Sequence, residues 1–128
     1  MTDTIYDSID ASRVAAQNDA FRRCACLAIP YSPGDPVLRG RAVMTSNIGA
    51  MGPAFVQSCV DAIGRLDHFP EENDPDGYHD FGSVEVQGTA VWFKIDAYED
   101  ENMAFGSDAP DDPARTFRVL TILLPSDW

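Results

Sequence analysis

A chain of 128 residues, 45% hydrophobic and 23% charged, has the length and balance of one globular domain, able to bury roughly two-thirds of its unfolded surface. Its net charge of -12 is concentrated, because residues 67–112 carry fourteen acidic side chains against Lys94 alone. Such a region repels nucleic acid and anionic membranes and attracts cations or basic protein surfaces.

No apolar run approaches the roughly 18 residues of a membrane span. Met1 opens onto Thr2-Asp3-Thr4 without the basic and apolar regions of a signal peptide, so a cytoplasmic location is expected. Cys24, Cys26 and Cys59 are an odd, small set that suits reduced thiols better than a disulfide framework.

In chain order, residues 1–11 are polar and are expected to be a flexible N-terminus, with a single domain over 12–128. A first helix is predicted from Ser12, as N-cap, to about Cys26: no Pro or Gly interrupts it, Val14, Asn18, Phe21, Ala25 and Ala28 form a stripe, and Arg13, Gln17, Arg22 and Arg23 flank it. Pro30, Pro33, Gly34 and Pro36 then impose a loop. Gly40-Arg41-Ala42-Val43-Met44-Thr45 reads as a short strand and Ser46-Asn47-Ile48-Gly49 as the turn out of it. A second helix follows Gly52-Pro53, with Phe55, Val56, Cys59, Ala62, Ile63 and Leu66 at helical spacing.

Residues 83–87 and 89–97 alternate like two strands of a hairpin about Gln87-Gly88. That turn pairs Val86 with Thr89 and Val84 with Val91, placing Phe93 and Ile95 on the core face. The opposite face then shows Phe81, Ser83 and Glu85 beside Ala90, Trp92, Lys94 and Asp96. Residues 97–114 form an acidic surface loop, and the run Val119-Leu120-Thr121-Ile122-Leu123-Leu124 marks a strand covered on both faces. The fold expected is α+β, a mainly antiparallel sheet of about four strands packed against two helices in a single domain.

The acidic loop before the hairpin holds the candidate chemistry. Glu72, Asp74, Asp76, Gly77 and Asp80 fall at positions of a calcium-binding loop, but Ser83 replaces the bidentate acid, Pro75 stiffens the chain and a strand follows. Asp74-Pro75-Asp76-Gly77 is equally a type I turn. Asp74, Asp76, His79 and Asp80 therefore remain an alternative divalent-cation or acid/base set, with no cofactor otherwise expected. Cys24 and Cys26, two residues apart on a helix, cannot share a metal. No phosphate loop, nucleophile elbow or basic aromatic patch is present in the sequence. An enzyme is thus disfavoured.

Five motifs, Asn18-Asp19-Ala20-Phe21-Arg22, Gly40-Arg41-Ala42-Val43-Met44-Thr45, Asn73-Asp74-Pro75-Asp76-Gly77-Tyr78-His79-Asp80-Phe81-Gly82, Trp92-Phe93-Lys94-Ile95-Asp96 and Arg118-Val119-Leu120-Thr121-Ile122, occur in an order that resembles a small bacterial family of unknown function. That family is associated with alphaproteobacterial genomes and mobile elements; the resemblance spans residues 18–124 and implies no activity, cofactor or catalytic residue. By association it implies an accessory protein of mobile DNA.

The functional expectation is a non-enzymatic interaction protein whose acidic face imitates nucleic acid and binds a basic protein surface, such as that of a nucleic-acid-binding protein. Its contact residues are Glu71, Glu72, Asp74, Asp76, Asp80, Glu99, Asp100, Glu101, Asp108, Asp111 and Asp112, with Trp92, Lys94 and Asp96 as contacts on the sheet face. Direct binding to nucleic acid or membrane is not expected.

Overall fold

The computed structural model describes residues 9–128. The first helix, α1, spans Ala11–Leu27 and is capped by Asp10, whose carboxylate accepts from the Ser12 and Arg13 N–H groups. The cap is thus two residues earlier than Ser12, because a carboxylate accepts without giving up a proton of its own and carries charge toward the helix dipole. The expected flexible segment 1–11 lies mostly outside the described residues, and at its end Asp10 and Ala11 are already the cap and first turn. At the other end Ala28 takes a left-handed conformation (φ 57°), and the Ala28 and Ile29 N–H groups return to the Cys24 and Arg23 carbonyls before Pro30 stops the helix.

Strand β1 spans Arg39–Met44. Ser46–Gly49, expected as a simple turn, is a one-turn helix, α2, because the Thr45 hydroxyl accepts from Ile48 N and Ile48 fills the core. Helix α3, Pro53–Arg65, follows with proline in its first turn, where the missing N–H costs nothing. Strands β2 (Phe81–Val86) and β3 (Thr89–Tyr98) form the hairpin, and β4 spans Phe117–Leu123. Gln87 and Gly88 both have positive φ, 53° and 80°, the mirror-image turn that follows the twist of two antiparallel strands. The register is the one the alternation predicts, with Val86 opposite Thr89 and Val84 opposite Val91.

The sheet order is β1-β4-β3-β2, antiparallel except for the parallel β1–β4 pair. The architecture is therefore the expected α+β one, with three helices instead of two. Phe93, Ile95, Val91, Leu120 and Ile122 on one face meet Phe21, Ile48, Phe55, Cys59 and Ile63 in a single core. Each such side chain contributes about 1.5–3 kcal/mol when withdrawn from water. Gly40 lets this contact close: a Cβ there would stand 2.7 Å from the Phe21 ring and collide with the Arg118 carbonyl.

On the other face Phe81, Trp92 and Trp128 meet edge to face at 5.3–6.0 Å, and Lys94 Nζ lies 2.9 Å from Asp96. Trp128 is brought there by Asp127, whose carboxylate accepts from Thr45, Asn47 and Leu124 N. β1 is an outer strand with all six residues exposed. Among the described residues no helix is long and apolar enough to cross a membrane.

Candidate functional site: the acidic end of the sheet

The hairpin dictates where the charge goes. Its turn, Gln87-Gly88, is at one end of the sheet, so the segment entering β2 and the segment leaving β3 both emerge at the other end. Those two segments, 67–80 and 99–112, are the acidic ones. They come close enough that partial burial, with the fields of Asp76, Asp80 and Asp111 added to it, pushes the Tyr78 hydroxyl above its ordinary range. Burial likewise raises the Asp80 carboxyl, and the fields of Asp74, Asp76 and Asp96 add to it. Glu99, Asp100 and Asp108 line a shallow depression with Arg115.

Two buried arginines fasten these loops to the body. Arg118, on the core side of β4, donates from Nε to Asn18 Oδ1 (2.8 Å) and from Nη2 to Gln17 Oε1 and the Pro110 carbonyl (2.8 Å each). Asn18 passes the connection on through Nδ2 to the Tyr78 carbonyl at 2.9 Å, and Gln17 Nε2 donates to the Asp111 carbonyl at 2.9 Å. One guanidinium and two amides on α1 thus hold both acidic loops. Burial pulls the Arg118 pKa down to about 10, still well above neutrality, so the group stays charged.

Arg22 is the second. Its side chain is fully buried, donating from Nη1 to the Ile63 and Gly64 carbonyls at the end of α3 and from Nη2 to Asp19 at 2.8 Å, between the Phe69 and Phe93 rings. It was expected on the flank of α1; the inward position is stable because the last α3 carbonyls lack helical partners and a cation complements that dipole. Asp19 in turn accepts from His79 Nδ1 at 3.0 Å, which fixes the proton on that nitrogen, since an ionised carboxylate can only accept. The His79 ring stacks on Phe69 (centroids 4.1 Å apart, planes within 6°), and its backbone is left-handed at φ 55°. Asp74 closes the loop from inside: Oδ1 accepts from the Tyr78 and His79 N–H groups at 3.0 and 3.1 Å, and Oδ2 lies 3.7 Å from His79 Nε2.

Of the residues expected on the acidic face, Glu71, Glu72, Asp76, Glu99, Glu101 and Asp108 are exposed, and Asp80, Asp100 and Asp112 are half-buried. Asp74 and Asp111 are corrections to that face: both are buried, spent on the Tyr78 and His79 N–H groups and on the Asp10 N–H respectively. The Asp74, Asp76, His79 and Asp80 set is likewise not assembled around a common point, since Asp74 serves the backbone and His79 serves Asp19; among the described residues no group of three or more His, Cys, Asp or Glu side chains is placed to hold a metal ion. The Asp74-Pro75-Asp76-Gly77 turn is formed, with the Gly77 N–H donating to the Asp74 carbonyl. Cys59 is buried in the core.

The clasp of Gln17, Asn18, Asp19, Arg22 and Arg118 was not among the expected site residues. Its signal was an asparagine inside an apolar stripe and an arginine at the same strand parity as Leu120 and Ile122.

A family model described as protein of unknown function (DUF3768) matches residues 44–127. The match takes in the acidic loop, hairpin and β4, and leaves α1 outside. No curated protein and no solved structure matches the chain.

Proposed function

Because the chain belongs to the DUF3768 family, whose description carries no activity, we propose its function from the site alone: a non-enzymatic interaction protein whose acidic end binds a basic surface on a nucleic-acid-handling protein, in place of phosphates. The observation that carries this reading is the convergence of both acidic loops at one end of the sheet, each fastened to α1 through Arg118. Carboxylates on a fixed backbone lose little freedom on binding, whereas a mobile acidic tail must be ordered first. A link to mobile DNA is part of the proposal and rests on the sequence resemblance. The divalent-cation alternative at Asp74, Asp76, His79 and Asp80 has less support, since two of its four ligands are already committed inside the protein.

The test is a titration against purified Lys/Arg-rich DNA-binding domains with duplex DNA as competitor. Affinity should fall about 10³-fold between about 50 and 200 mM salt, as for six or more phosphate contacts, and DNA should displace the complex. The triple variant Glu71→Gln, Glu72→Gln, Asp76→Asn should bind weakly while melting normally. An affinity indifferent to salt and DNA would rule the reading out.

A further inference from the structure

A concave surface carrying positive charge lies between α1 and the proline-rich loop that follows it. On α1, Arg13, Ala16, Ala20 and Arg23 line a cavity of about 390 Å³, at intervals of three, four and three residues, along the side next to the buried stripe. The loop opposite supplies Tyr31 and Leu38 and is stiffened by Pro30, Pro33 and Pro36. Arg13 and Arg23 are ten residues apart, about 15 Å along the helix, so the cavity has an arginine near each end, with Ala16, Gln17 and Ala20 between.

The Asp10 carboxylate lies within the field of Arg13 without an ion pair between them. Among the described residues neither Arg13 nor Arg23 is in a salt bridge, and Asp35 is the one carboxylate in the lining. Gln17, also in the lining, is bonded to Arg118, whose charge reaches Tyr31. Burial, with the neighbouring Cys24, pushes the Tyr31 hydroxyl up to about 12, so it stays a neutral donor. Two guanidinium groups thus line one partly apolar cavity in a chain of net charge -12. A volume of this size is within the usual range for small-molecule sites, which combine apolar walls with a few polar anchors.

We infer that this cavity binds a small organic carboxylate, its acid group held by Arg13 or Arg23 and its apolar body laid on Ala16, Ala20, Tyr31 and Leu38. Arginine suits the acid because its planar fork matches a carboxylate with two parallel hydrogen bonds. The cavity is built entirely from residues preceding the matched family segment, so it is a property of this chain's α1 and following loop. The inference does not rest on the function proposed for the acidic end, although Gln17 belongs to both the cavity lining and the clasp.

The experiment is an NMR titration of the full chain with 4-phenylbutyrate, octanoate and indole-3-acetate, read at the Ala16, Ala20 and Leu38 methyl groups. At least one acid should give saturable shifts there, the matching neutral amide should bind at least about tenfold more weakly, and Arg13→Gln or Arg23→Gln should cost a similar factor without lowering the melting temperature. No saturable shift from any of the three acids, equal binding of the amide, or unchanged affinity in both arginine variants would each overturn it.

Discussion

Arg22→Met is the sharpest probe of how the body of the protein holds the acidic loop. Methionine has nearly the reach of the arginine stem and fits between Phe69 and Phe93, so the packing loss is small. What is lost is the guanidinium: its hydrogen bonds to the Ile63 and Gly64 carbonyls, and the ion pair with Asp19, a carboxylate with 17% of its side chain exposed. Bonds from a charged donor contribute about 1.5–3 kcal/mol each, and removing one partner of a buried pair costs about 3–5 kcal/mol. We expect a loss of about 3 kcal/mol, near the lower figure because Arg22 Nε has no hydrogen-bond partner among the described residues and His79 still serves Asp19. In a domain of this size that lowers the melting temperature by about 10 °C. Urea titration should show a lower midpoint with an unchanged slope, and the cross-peaks of Tyr78 and His79 should broaden. The double variant with Asp19→Asn should lose less than the sum of the singles. A loss under about 1 kcal/mol, or strict additivity with Asp19→Asn, would refute the role given to this arginine.

Two further perturbations test the sheet's open face and the acidic loop. Lys94→Met removes an ion pair whose partners are each more than a third exposed, so chemical denaturation should show a loss of about 0.5 kcal/mol or less, and a loss of several kcal/mol would mean that Lys94 anchors the loop. Asp80→Asn should stabilise the protein at neutral pH: burial and like charges raise the folded-state pKa of Asp80, so the folded chain binds its proton more tightly than the unfolded one, and stability declines as pH rises through the window just above the ordinary carboxylate value. The gain, read from melting temperatures across pH, should vanish in acid; a neutral-pH loss would contradict the sign.

The hairpin was legible residue by residue because a two-residue turn and a period of two leave one register that buries Val86, Val91, Phe93 and Ile95 together. Its acidic flanks were legible too, and with the turn at one end their convergence at the other follows. Arg22 and Arg118 were not, because helical periodicity and strand alternation assign faces by polarity, and both arginines sit on the wrong side of that rule. Their burial depends on acceptors 41 and 100 residues away in sequence, which no local pattern encodes. Asp74 and Asp111 misled for the same reason: a carboxylate that serves backbone N–H groups looks, in sequence, like one that faces water.

The outer strand β1 has one further consequence. Among the described residues its outer side has no strand partner, so it offers a row of N–H and C=O groups with Val43 and Met44 exposed, the kind of edge onto which another copy of the same strand can add. Arg39 and Arg41 alternate along it with no acidic residue between them, so two such edges laid antiparallel would bring arginine toward arginine. In a molecule that is otherwise strongly negative, such a pairing of like charges disfavours the strand's stacking on itself and would favour a strand of opposite charge.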